Sequence, residues 1–144
     1  MSLAMTKSER EDFLAGPHVG VISIQRENRG PLSVPIWYGY EPGGEIRIWS
    51  GGTSTKVKLL KRAGRFSLCA QQETLPYKYV SVEGPVVGME PIDFDRELRP
   101  LVYRYLGPEE GDRYLEEFGG RAAMTAQVLI RMCPEHWFSE DHSK

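Results

Sequence analysis

The residues best equipped for chemistry lie in IWSGGTSTKVKLLKRAGR, residues 48–65. A strand ends, two glycines allow a close backbone approach, three hydroxyls follow, and a helix then opens with Lys56 and Lys58 in its first turn. The free N–H groups of a helix N-terminus already carry partial positive charge, so two lysines there cost stability unless an anion sits nearby. Amides, hydroxyls and ammonium groups converging on one point suit a phosphate. At about 100° per residue, Lys56 falls on the same face as Leu59, Leu60 and Ala63, at the rim of the core, whereas Lys58, Lys61 and Arg62 face solvent. The competing reading is a surface helix whose basic residues serve solubility alone.

A second constellation is aromatic: Trp37, Tyr38 and Tyr40 on one strand, Trp49 on the next, Tyr77 and Tyr79 on a later one. Flat apolar walls with a few backbone hydrogen bonds hold planar ligands, although each ring taken singly also fits a core or an edge. A planar ring with a phosphorylated tail describes a flavin mononucleotide. Other chemistries find less support. His18, His136 and His142 lack metal-ligand spacing with one another or with Cys69 and Cys133. The glycines form neither a Walker loop nor a dinucleotide fingerprint, and there is no serine nucleophile elbow.

The elements that must position these groups can be read from punctuation and periodicity. Thr6–Ala15 reads as a short charged helix stopped by Gly16-Pro17. Strands follow at His18–Gln25, Leu32–Tyr40 and Glu45–Ser50, the last two joined through Pro42-Gly43-Gly44 as a hairpin. Pro35 inside its strand predicts an edge, a bulge or a gap facing a ligand. A helix over Thr53–Ala63 leads to strands Arg65–Gln71 and Tyr77–Met89, the second bent at Gly84-Pro85. Helices over Asp93–Leu106, kinked at Pro100, and Pro108–Phe118 precede a last strand over Ala122–Met132. Residues 1–5 read as a tag remnant or disordered start, and 139–144 as a frayed tail. Six strands with close turns predict a mainly β fold, a small antiparallel barrel with peripheral helices.

Length and composition agree. At 144 residues, 40% hydrophobic and 26% charged, the chain fits one domain with its own core. A net charge of −2 argues against a polycation, so nucleic acid is not an expected partner. Two cysteines make no disulfide framework, and the apolar runs are too short for a membrane span or a signal peptide. The expected setting is the cytoplasm.

Taken in order, RGPLSVPIWY, the turn to IWS, the T-S-T-K helix, RFSLCAQ, YKYVSVEGPVV and the closing MCPEHWF resemble the pyridoxamine 5′-phosphate oxidase-like split-barrel superfamily. They are most similar to its actinobacterial branch of flavin- or deazaflavin-dependent reductases, over roughly Glu11 to Phe138. The resemblance implies a six-stranded split barrel, a homodimer with cofactor sites at the subunit interface, and bound FMN or coenzyme F-420 (8-hydroxy-5-deazaflavin). It implies that Val34, Pro35, Ile36, Trp37 and Tyr38 line the ring, with Trp49 and Ser50 at the end of the next strand. Thr53, Thr55, Lys56 and Lys58 would hold the phosphate, and Tyr79 would fall where a cofactor-contacting side chain stands. The paired basic residues of the oxidase itself are absent: Pro35-Ile36-Trp37-Tyr38 occupy the first pair's strand, and Thr55-Lys56 replaces the second. Oxidation of vitamin B6 is therefore not expected, and the T-x-K-x-K helix favours F-420.

The function so implied is hydride transfer between the cofactor and a small organic acceptor, with no assigned catalytic side chain. Tyr38 and Tyr79 are the residues that could hand on a proton. The alternatives are a non-catalytic holder of flavin, haem or another planar ligand, and a small nucleic-acid-binding barrel using Lys56–Arg65 as a basic platform.

Overall fold

The computed structural model describes residues 2–144. Helix α1 (Lys7–Leu14) is followed by strands β1 (Gly20–Arg26), β2 (Arg29–Ile36) and β3 (Ile46–Gly51), helix α2 (Thr55–Ala63), then β4 (Arg65–Gln72) and β5 (Lys78–Pro91). A π-helical turn at Phe94–Leu98 runs into α3 (Arg99–Glu117). The short α4 (Gly120–Ala123) and a 3-10 turn lead to β6 (Gln127–Met132) and β7 (His136–Asp141). All strand pairs are antiparallel, in the order β2-β1-β4-β5-β6-β3, with β7 also on β5. A single bridge between Gly39 and Arg47 brings the far edge, β3, back to the segment that leaves β2. The sheet therefore curls on itself without a closing ladder.

Strand β5 makes this possible. Its first half pairs with β4 on one side and β7 on the other, from Lys78 to Glu83. From Val86 onward it pairs with β6, with a bulge between Val86 and Gly88. At the crossover a Cβ added to Gly84 would run into the Cys133 carbonyl at the corner between β6 and β7. Glycine is required there because another backbone occupies the place of a side chain.

Alternation with period two sends Ile22, Ile24, Phe66, Leu68, Val80 and Val82 inward, where they meet Ile48, Ile130, Met132 and the α2 residues Val57 and Leu60. Full burial of each such side chain contributes roughly 1.5–3 kcal/mol. A second cluster lies outside the barrel, beneath the π-helical turn and α3: Leu98, Val102, Leu115 and Leu129 pack there with Trp37 and Trp49.

Several expectations need correction. The described residues form seven strands, because His136–Asp141 pairs with β5 rather than trailing as a polar tail. The turn at 41–44 forms, but β2 and β3 do not make a hairpin ladder; β3 pairs with β6 from Ile46 to Gly51. Residues 122–126 are helical, so the last long strand starts at Gln127. The helix break falls at Gly107 (φ 79°), just before Pro108, and Pro100 sits harmlessly in the first turn of α3. At the start of the chain Met5 is buried and the Leu3 carbonyl accepts from the Asp141 N–H, while Met1 lies outside the described residues. Pro35 is, as expected, on an edge strand.

Replacing Gly84 with alanine is expected to lower stability by about 2–3 kcal/mol and the melting midpoint by roughly 5–10 °C. Gly30→Ala, where the added methyl meets open space, is the control and should melt close to the parent. Calorimetry checks both, and equal midpoints for the two variants would remove the crossover constraint.

Candidate functional site

Helix α2 is built to start and stop where it does. The Ser54 hydroxyl accepts from the Val57 N–H (3.1 Å) as the N-cap, and Gly64 in the left-handed region (φ 72°) ends the helix by donating to the Leu60 carbonyl. The Lys58 N–H is taken by the Ser54 carbonyl, which leaves the Thr55 and Lys56 amides as donors without an intrahelical acceptor. Ser50, at the end of β3, lies 2.8 Å from Ser54, hydroxyl to hydroxyl, and is buried. Lys56 is half-buried on the face leading to the core, whereas Lys58, Lys61 and Arg62 are exposed.

A cleft of about 420 Å³ opens beside this helix. It lies between edge strand β2 (Pro35, Ile36), the aromatic pair Trp37 and Trp49, and the Ser50–Gly51 end of β3, with Lys56 at one side. Val19, Tyr114 and Gln127 complete the lining, which contains no carboxylate, histidine or thiol. The volume falls in the range of small-molecule sites.

The aromatic wall is fixed from outside. Tyr105 of α3 stacks on Trp37 (4.9 Å between centroids, 6° between planes), so Trp37 meets the cleft with its remaining face and edge. The Tyr105 hydroxyl accepts from the Tyr38 N–H (3.0 Å) and donates to the His18 carbonyl (2.8 Å). Next to it, both terminal nitrogens of Arg104 donate at 2.6 Å to the carbonyls of Ala15 and Gly16. Tyr114, beyond the break at Gly107, approaches Trp37 at 5.4 Å. Burial pushes the Tyr105 phenol above its ordinary range, so it stays a neutral donor.

Of the residues singled out from sequence, Pro35, Ile36, Trp37, Trp49, Ser50 and Lys56 meet in this one cleft. The others stand elsewhere. Val34 points to the barrel interior opposite Ile22. Tyr38 faces the core, its hydroxyl donating to the Leu14 carbonyl (2.7 Å), and burial holds its phenol far above the usual tyrosine value. Buried and bonded in this way, it is not placed to hand on a proton. Thr53, Thr55 and Lys58 are exposed around the start of α2, outside the cleft. Tyr79 lies on the outer face of the sheet, stacked on Phe138 (6.2 Å, 15°). Sequence reasoning missed Val19, Tyr114 and Gln127, which come from a loop, a distant helix and the start of β6. His136 lies close to Glu83 and Glu135, but Arg65 already bridges those carboxylates at 2.8 and 3.1 Å.

With this geometry in hand, solved structures can be compared. An F-420 reductase superposes with a TM-score of 0.73 at 21% identity, over 89% of this chain and 94% of that one. A FAD- and haem-binding protein from Mycobacterium smegmatis gives 0.69 at 16% identity, over 97% and 73%. A conserved hypothetical protein from Mycobacterium tuberculosis gives 0.74 at 23% identity, over 98% and 88%. The chain has the pyridoxamine 5′-phosphate oxidase-like split-barrel fold. No protein-family profile matches it, and no curated protein does. Among the described residues no helix is long and apolar enough to cross a membrane.

Tyr105→Phe keeps the stack on Trp37 but strands the Tyr38 N–H, and is expected to cost about 1–3 kcal/mol in denaturant unfolding. Tyr103→Phe removes only a surface hydroxyl bonded to Asp112 and should change stability by less than about 1 kcal/mol. A Tyr105 variant as stable as the Tyr103 one would show that α3 is not pinned through this hydroxyl.

Proposed function

We propose that the chain is an oxidoreductase that holds FMN or coenzyme F-420 in this cleft and passes hydride between it and a small organic acceptor. The carrying observation is that Lys56 and the donor end of α2 share one acid-free cleft with Trp37 and Trp49. That donor set fits a phosphorylated tail at the α2 end and a planar ring along Pro35–Trp37. When bound, the flavin or deazaflavin supplies the two-electron chemistry. The chain's own part is binding and orientation. Lys56 offers charge, the Thr55 and Lys56 amides offer hydrogen bonds, and Trp37, stacked on Tyr105, gives a flat wall. Val34, Tyr38, Thr53, Thr55, Lys58 and Tyr79 have weaker claims from this chain's own cleft, with the Thr55 amide excepted.

The solved relatives named for F-420 and FAD support a flavin-type ligand. A purely structural holder of flavin is a second reading, favoured by the absence of any carboxylate, histidine or thiol in the lining. Fluorescence titration with FMN and with F-420, followed by reduction of an acceptor panel, separates the enzyme from the holder. Lys56→Ala is expected to weaken cofactor binding by about tenfold or more, and Lys61→Ala to leave it unchanged. Equal effects of the two substitutions would remove the phosphate assignment.

We also infer a homodimer. Across the outer face of the sheet, Pro35, Val21, Cys69, Ser81 and Phe138 stand side by side in register, an uncharged row with Val21 and Phe138 exposed. Such a face needs cover, and a second copy over it would lie next to the Val19 side of the cleft. Val21→Arg combined with Phe138→Glu is expected to convert the dimer to a monomer in sedimentation; an unchanged mass, or a parent chain already monomeric, overturns this.

A further inference from the structure

A second cleft, of about 440 Å³, lies where the barrel meets the π-helical turn and the start of α3. Its walls carry three guanidinium groups, Arg47 from β3, Arg96 from the π-helical turn and Arg104 from α3, against two carboxylates, Glu41 and Glu97. The two clefts share no lining residue.

Gathering three like charges is unfavourable unless something offsets it. Arg104 spends its terminal donors on the Ala15 and Gly16 carbonyls, which leaves its charge in place and its buried Nε without a hydrogen-bond partner among the described residues. Neither Arg96 nor Arg104 has a carboxylate within ion-pairing distance among the described residues. Arg47 is the one of the three that combines partial burial with carboxylates held only at long range. It is half-buried, its head lies flat over the backbone at Gly39, and its Nε is buried with no hydrogen-bond partner among the described residues. Its nearest carboxylates, on Glu41 and Glu97, both stand at 3.7 Å, beyond a good charge-assisted hydrogen bond. A planar fork of donors at the wall of a cleft with net positive charge matches an oxyanion in a way that a lysine would not.

We propose that this cleft is a binding site for a compact, multiply charged oxyanion, a phosphate or polycarboxylate group, with Arg47 as its principal ligand and Arg96 and Arg104 supplying field. The site is separate from the flavin site and does not rest on that assignment. Glu97 is the gate of its selectivity: the guest must outcompete a carboxylate already near Arg47, so singly charged anions bind poorly.

Isothermal titration of the full chain with inorganic phosphate, citrate and, as a singly charged control, nitrate tests this. Phosphate or citrate is expected to bind while nitrate does not, and their order shows whether phosphate or carboxylate is preferred. Arg47→Ala should weaken binding by about tenfold or more, the fold-change carried by one or two charge-assisted hydrogen bonds. Arg96→Ala should weaken it less, and Arg47→Lys should fall between the parent and Arg47→Ala. Lys61→Ala, a charge change outside both clefts, should leave it intact. Thermal melts with and without anion give a folding check and a second readout, since an anion bound only to the native state raises the midpoint. Loss of the heat in Lys56→Ala with retention in Arg47→Ala would move the anion to the first cleft and overturn the proposal. Absence of heat for both anions would overturn it as well.

Discussion

Both walls of the first cleft hang from one strand. The wall formed by Pro35 and Ile36 belongs to β2, which is held by β1, β4 and finally β5. The opposite wall, Trp49 to Gly51, belongs to β3, which is held by β6 and then by the far half of β5. The relative position of the walls is therefore set by how β5 changes partners, and that change is made where Gly84 lets the Cys133 carbonyl rest against its backbone. A side chain there would force apart the β5 crossover and the corner between β6 and β7. Strain of that kind spreads through packed layers instead of staying local, because interiors are as dense as molecular crystals.

The sheet leaves the cleft open toward the outside, and α3 limits it. Arg104 and Tyr105 fasten the first half of α3 to the loop between α1 and β1 and to the segment after β2, through the carbonyls of Ala15, Gly16 and His18 and the Tyr38 amide. Their cost in side-chain entropy is offset by satisfying buried backbone groups, which is dearer to leave undone than any single surface ion pair. The second half of α3, past the left-handed residue Gly107, brings Tyr114 to the cleft without any such fastening to the sheet. One helix thus carries a fixed wall and, across its break, a separately seated aromatic.

What the sequence disclosed and what it hid follow from the range of the interactions involved. Helix α2 was legible to within two residues because its cap, its periodicity and its terminal glycine are all local, and the wheel separated Lys56 from Lys58 correctly. Tyr38 was misplaced because alternation tells that neighbours face opposite ways, not which side will be the core; here Trp37 faces the cleft and Tyr38 the interior. The β2–β3 hairpin shrank to the single Gly39–Arg47 pair for a different reason. Pro42-Gly43-Gly44 does turn the chain, but pairing is decided by β6, far away in the sequence. Strand β7 was hidden because its apolar residues do not mark one face, Phe138 being exposed while the polar Asp141 is buried, and it pairs on one side only. Tyr114 and Gln127 had no local signal at all, since only the curl of the sheet brings them to β2 and β3.

The charge on α2 runs with the helix dipole at one end and against it at the other. Lys61 and Arg62 in the last turn are where cations help, and there is no acidic residue in the first turn, where one would help. Replacing Lys56 by an acid would stabilise the isolated helix, and the fold could accommodate it, since the side chain reaches the cleft and not the sealed core. Helix stability therefore cannot be what Lys56 serves. The half-buried lysine also makes no ion pair within this chain: among the described residues no carboxylate lies within 4.0 Å of it, whereas Lys78 and Lys144 each have one. A cation set against a dipole, beside two free amides and with no carboxylate partner, is a local inconsistency of the kind that folds tolerate where a ligand completes the arrangement.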